Sequence, residues 1–158
     1  MNRLIAGMEA AGIGPNQNVY AELGTTWWAL MGRPEEAAHV LGKLLVHVGA
    51  DNILWGTDAV FYGSPQGQIQ SFRVFQISEQ FQEQFGYPAL TDDIKRKILG
   101  LNALRLHDVD PATVPCSFTR ADLEQLRLTL PVALERRGPR THSELRAHVA
   151  RERAELGV

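Results

Sequence analysis

The chain has 158 residues, with 16 basic and 18 acidic side chains, a formal net charge of −2 and one cysteine. That length and a 44% hydrophobic content fit one ordinary globular domain and exclude a disordered chain, a disulfide scaffold and a Cys-rich zinc site. The near-neutral charge gives no footprint for nucleic acid or an anionic membrane, and no apolar run approaches the roughly 18 residues that a span needs.

The first fifteen residues, with Glu9 and several glycines among them, lack the apolar centre of a signal peptide. With the solitary Cys116, this leads to the expectation of a cytoplasmic protein.

In chain order, Leu4, Ile5, Met8 and Ala11 recur at helical spacing and predict a short helix over residues 2–11, ended by Gly12, Gly14 and Pro15. Asn18 to Leu23 reads as a strand stopped by Gly24, and residues 24–33, with Thr25, Thr26, Trp27 and Trp28, read as a loop. Pro34, Glu35 and Glu36 open the clearest helix, whose stripe is Ala37, Val40, Leu41, Leu44, Leu45 and Val48. Gly49 closes it. Residues 52–58 then read as a buried strand that ends on Asp58.

A Gly63-Ser64-Pro65 turn leads to one long helix over about residues 66–84, broken by Gly86-Tyr87-Pro88. Thr91 caps a further helix with Ile94, Ile98 and Leu101 on its apolar face. Beyond Pro111 the character changes. Residues 111–158 carry 8 arginines and 6 acidic groups, net +2, against −4 for residues 1–110. Capping-box spacings at Thr119 and Thr141 predict two tail helices, the first with a Leu123, Leu126 and Leu130 stripe. The chain therefore divides into residues 1–110 and a helical extension over 111–158. Strands alternating with helices in the first part argue for a parallel α/β arrangement.

The carboxyl ends of parallel strands are where ligands and catalytic groups collect, and Asp58 sits at such an end. A carboxylate there can bind a metal or accept a proton; by position alone, a turn aspartate bonding nearby N–H groups is the commoner reading. Its surroundings add to this. Gly49 with Ala50-Asp51-Asn52-Ile53-Leu54-Trp55-Gly56-Thr57-Asp58, followed by Ile98-Leu99-Gly100-Leu101-Asn102-Ala103-Leu104-Arg105-Leu106, resembles the C-terminal end of the amidohydrolase-related family. Asn18-Val19-Tyr20-Ala21-Glu22 resembles that family's seventh barrel strand, and the resemblance covers about residues 2–108.

The resemblance implies a metal-dependent (β/α) TIM barrel that hydrolyses C–N or C–O bonds or decarboxylates acids without oxidation. It makes Asp58 the aspartate at the end of the eighth strand, touching a divalent metal, commonly zinc, and acting as general base on an activated water. A complete barrel takes about 200 residues or more. The expected fold is therefore α/β: a partial barrel, its last two β/α units, plus a C-terminal helical tail.

Glu22, Trp27, Trp28 and Tyr62, with Phe61 beside it, are candidates for the wall of a small-molecule substrate pocket. Aromatic packing, and for Glu22 a structural hydrogen bond, are the alternatives. The family's His-x-His pair is absent. His39 and His47 are about 12 Å apart along one helix and read as solvated, as do His142 and His148 in the tail; His107 ends a helix. A catalytic zinc normally takes three protein ligands. The expectation is a C-terminal portion lacking most metal ligands and inactive alone, its missing N-terminal half belonging to a separate chain, to an upstream coding region or to nothing at all. The rival is a non-catalytic interaction module whose open sheet edges drive oligomerisation or pairing with another chain.

Overall fold

A computed structural model describes residues 1–113, 118–129 and 142–157. Cys116, Leu130, the arginines at 136, 137 and 140, and Thr141 lie outside the described residues. Helix α1 (Asn2–Ala10) turns Ile5 and Met8 inward. Strand β1 (Ala21–Glu22) and strand β2 (Ile53–Leu54) pair in parallel, with Ala21 opposite Ile53 and Glu22 opposite Leu54. Leu23 N–H continues the ladder by donating to Leu54 O at 3.0 Å.

Both strands are shorter than their sequence patterns suggest, because side chains replace ladder bonds at their entrances. Asn52 Nδ2 donates to the carbonyls of Gln17 and of Val19, the latter at 3.0 Å. This satisfies carbonyls that a longer strand would pair.

Helix α3 (Pro34–His47) follows its predicted pattern, with Ala37, Leu41, Leu44 and Leu45 buried. Residues 24–33 differ from expectation. Gly24–Leu30 form helix α2, not a loop. The β-branched and aromatic run Thr25 to Trp28 has poor helix propensity, but tertiary burial overrides it. Trp27 is 1% exposed and packs edge-on against Phe72 and Phe75, with ring centroids 5.1 and 5.4 Å away. Its Nε1 donates to Ser71 Oγ at 2.9 Å and Gln68 O at 3.1 Å.

The long helix expected over 66–84 is two. A short α4 (Ala59–Tyr62) leads to α5 (Gln66–Val74), which ends where Phe75 turns extended at ψ 141°. That break buries both Phe75 and Ile77, and Ser78 Oγ then caps α6 (Glu79–Phe85) by accepting from Phe81 N–H. Aromatic residues of α6 reach back to α3. His39, read from sequence as solvated, is partly buried among Phe81, Phe85 and Tyr87, and its Nδ1 lies 3.0 Å from Tyr87 Oη.

Thr91 caps α7 (Asp92–Arg96), which runs through a π-helical turn (Lys97–Leu101) into α8 (Asn102–Leu106). The wide turn, closed by Asn102 N–H on Lys97 O, inserts one extra residue into the helical register. Asn102, 2% exposed, donates through Nδ2 to Ala50 O and Ile53 O, both at 2.8 Å. Arg105 reaches Asp51 O and Asn52 Oδ1, and Lys97 pairs with Asp51 at 2.7 Å. The polar residues of the family-like stretch thus clamp the turn that feeds β2.

In the tail, α9 (Arg120–Thr129) starts with the expected box: Thr119 N–H donates to Asp122 Oδ2, and Asp122 N–H to Thr119 Oγ1. Its Leu123 and Leu126 are exposed. Helix α10 (His142–Leu156) lies along α5, with Val149 against the core and His148 partly buried rather than free on the surface.

Candidate functional site

Two carboxylates meet at the carboxyl end of the paired strands. Glu22 ends β1, and its Oε1 accepts from Gly24 N–H at 2.7 Å. Asp58 lies four residues beyond β2 in the left-handed region (φ 47°, ψ 33°), which aspartate tolerates better than most side chains. That conformation turns its carboxylate back across the strand ends to α2. Oδ2 accepts from Thr25 N–H at 2.8 Å and from Thr25 Oγ1 at 2.5 Å.

The N–H groups of Gly24 and Thr25 have no intrahelical partner at the start of α2, so both acidic residues cap the helix where its dipole favours negative charge. Asp58 Oδ1 has no hydrogen-bond partner among the described residues. One oxygen anchors the group and the other is left to accept.

The strand ends come this close because both crossing points lack a side chain. A Cβ on Gly24 would stand 2.8 Å from Glu22 Oε2 and 2.9 Å from Asp58 Oδ2. On Gly56 it would stand 1.5 Å from Glu22 Oε1. Behind Asp58, buried Gln68 donates through Nε2 to Thr57 O at 2.8 Å, while its Oε1 is buried without a partner among the described residues. Such an orphan costs about 1–3 kcal/mol and marks a corner held by more than packing.

Of the sequence candidates, Asp58, Glu22 and Tyr62 come together. Tyr62 Oη is 3.2 Å from Thr25 Oγ1, and its ring stacks on Trp28 with centroids 4.1 Å apart. Trp28 and Tyr62 therefore flank the corner. Trp27 does not; it offers a substrate no surface, and its pocket reading gives way to core packing. Phe61 is 77% exposed on α4, its ring edge-on to Tyr62 with centroids 6.3 Å apart.

Thr25 was not among the sequence candidates, although it directly follows the glycine that ends the strand pattern. Among the described residues, no three His, Cys, Asp or Glu side chains lie close enough to hold a metal ion. Glu22 and Asp58 are two carboxylates, each already committed to α2, and they do not fit a complete catalytic metal site.

A family model described as amidohydrolase matches residues 9–109, which include β1, Asp58 and the Asn102–Arg105 clamp. The chain belongs to the amidohydrolase family. Amidohydrolase membership carries a relationship to hydrolases, and members of the family usually bind metal. No match was found among curated proteins or among solved structures. Among the described residues, no helix is long and apolar enough to cross a membrane.

Proposed function

We propose that residues 1–110 supply the last two β/α units of an amidohydrolase-type TIM barrel, with 111–158 as a helical extension. The reaction is hydrolysis of a C–N or C–O bond, or non-oxidative decarboxylation, of a small molecule. The observation that carries this reading is Asp58 at the carboxyl end of a parallel pair, held through Oδ2 with Oδ1 open. A carboxylate so anchored can accept a proton through its second oxygen without losing its orientation. Glu22 shares the corner, and the Trp28–Tyr62 stack provides an apolar flank.

Zinc or another divalent metal belongs to this reading only through ligands from an N-terminal half, on another chain or an upstream segment. The cytoplasm is the compartment this reading assigns, in line with a single cysteine.

The test is equilibrium dialysis of the purified chain against zinc, with an activity panel of amides, esters and unsaturated acids. The panel is repeated with a His-x-His-bearing barrel half supplied in trans. Activity is expected only with that half, and Asp58→Asn removes it. Activity that persists in Asp58→Asn, or stoichiometric tight zinc on this chain alone, would overturn the reading.

A second reading, a non-catalytic interaction module, draws on the two-stranded sheet, which has no third strand among the described residues, and on exposed Val60 and Phe61 next to it. Light scattering after size exclusion separates the two. An obligate oligomer without activity in either arrangement supports the module, and a folded monomer counts against it.

A further inference from the structure

Away from the Asp58 corner, a groove of about 540 Å³ runs between α5 and α7, with Gln70, Arg73, Asp92, Lys95 and Arg96 in its lining. Three cations and one carboxylate line it, in a chain whose net charge is −2. Lys95 is the unusual member, at 4% exposed. Its Nζ donates to Arg73 O at 2.8 Å. With the Gln76 amide turned to satisfy its neighbours, Nζ also donates to the Gln76 carbonyl at 2.9 Å, and the amide nitrogen donates to Leu90 O at 3.0 Å.

An ammonium has three donors, so one is left without an acceptor among the described residues. No carboxylate lies within ion-pair distance of Lys95 among the described residues. Asp92 acts on it only through space. Buried charges in proteins are normally paired, and among the described residues this one has no counter-ion.

The two arginines fit the missing charge. The exposed Arg73 guanidinium has no hydrogen-bond or ion-pair partner among the described residues. Arg96 leans on Asp93, with both side chains more than two-thirds exposed, so it is free to be recruited. Guanidinium forks match the oxygens of a phosphate, and a dianion would neutralise the net charge of the lining.

We propose that this groove binds a phosphate group, free or carried on a small ester, with Lys95 beneath it and Arg73 and Arg96 closing on its oxygens. Isothermal titration of the full chain tests this, using inorganic phosphate and, separately, glycerol phosphate, at constant low ionic strength set with sodium chloride. Saturable one-to-one binding is expected. Equal affinity for the two probes assigns the phosphate group itself, and tighter binding of the ester assigns an ester ligand.

The double variant Arg73→Gln and Arg96→Gln, both exposed, should weaken binding by about tenfold or more. Asp92→Asn, which removes the one negative charge from the lining, should tighten it. Absence of saturable heat with either probe, or an affinity unmoved by the double variant, overturns the proposal.

Discussion

Asn102→Asp is the most telling single change, because it is nearly isosteric and reverses one interaction. In the native chain Asn102 Nδ2 supplies both donors that satisfy Ala50 O and Ile53 O, each at 2.8 Å, at a site 2% exposed. A carboxylate in its place has no donor and sets negative oxygens against both carbonyls. Each unmet buried carbonyl costs about 1–3 kcal/mol, so a loss of about 2–6 kcal/mol at pH 7 is expected. Domains have only about 5–15 kcal/mol to lose. At roughly 2–4 °C per kcal/mol for a chain of this size, about 3 kcal/mol lowers Tm by about 6–12 °C.

The pH dependence separates this cause from a simple packing defect. The introduced carboxyl is disfavoured in its charged form by the fold, so its folded pKa lies above the unfolded value of about 3.9. The stability it retains is therefore fully present below that value and is lost as pH rises through the folded pKa. Protonated, it can donate to one of the two carbonyls and recover part of the gap. Thermal unfolding of wild type, Asn102→Asp and Asn102→Ala from pH 3.5 to 7.5 measures it. The Asp variant's deficit relative to wild type should shrink on acidification, while the Ala variant's should not. Parallel curves for the two variants, or a Tm for Asn102→Asp equal to wild type at pH 7, would refute the claim that this amide holds the entrance to β2.

The Gly56–Glu22 contact makes a second prediction. Gly56→Ala should push Glu22 off Gly24 N–H and cost about 0.5–1.5 kcal/mol, and most of that cost should vanish in a Glu22→Ala background. Additive costs in urea titrations would mean that the carboxylate does not occupy the space above Gly56. On the alkaline side, two buried groups titrate with opposite effects. Burial holds the Lys95 amine below its ordinary 10.5, so the unfolded chain binds more protons between that lowered pKa and 10.5, and stability rises with pH there. Burial raises the Tyr87 phenol above its ordinary 10.0, so its contribution is lost as pH climbs past 10.0. Urea titrations in phosphate-free buffer should show the rise in wild type and its absence in Lys95→Met, and a rise that survives the substitution would remove Lys95 as its source.

The helices with a clean apolar period were legible from sequence. Pro34 to His47 satisfies burial, dipole and start signals together, and nothing elsewhere in the chain competes with them. Residues 24–30 were not legible, because their helix depends on partners far away in sequence: Ser71 and Phe72 for Trp27, and Asp58 for Thr25. The break after Val74 was hidden for the same reason. Residues 75–78 contain no Gly or Pro to break a helix, yet Phe75 and Ile77 both reach the core where the chain turns extended after Val74. Asp58 was legible through its position and its family-like surroundings, whereas Thr25 carries no signal until the chain folds across 33 residues.

The choice between a turn aspartate and a functional one is not exclusive at position 58, and that decides which substitution is informative. Asp58→Ala would remove the acceptor for two Thr25 donors and leave α2 with only its Glu22 cap, so lost activity would not separate chemistry from a weakened helix start. Asp58→Asn keeps a carbonyl oxygen for Thr25 N–H and the hydroxyl, and asparagine also tolerates the left-handed backbone found there. What it removes is the negative charge and an Oδ1 able to accept a proton. A variant that melts like wild type but no longer supports turnover when the proposed barrel half is supplied in trans therefore isolates the open oxygen from the anchored one. Equal turnover in the two proteins would reduce Asp58 to the cap that its bonds to Thr25 already make it.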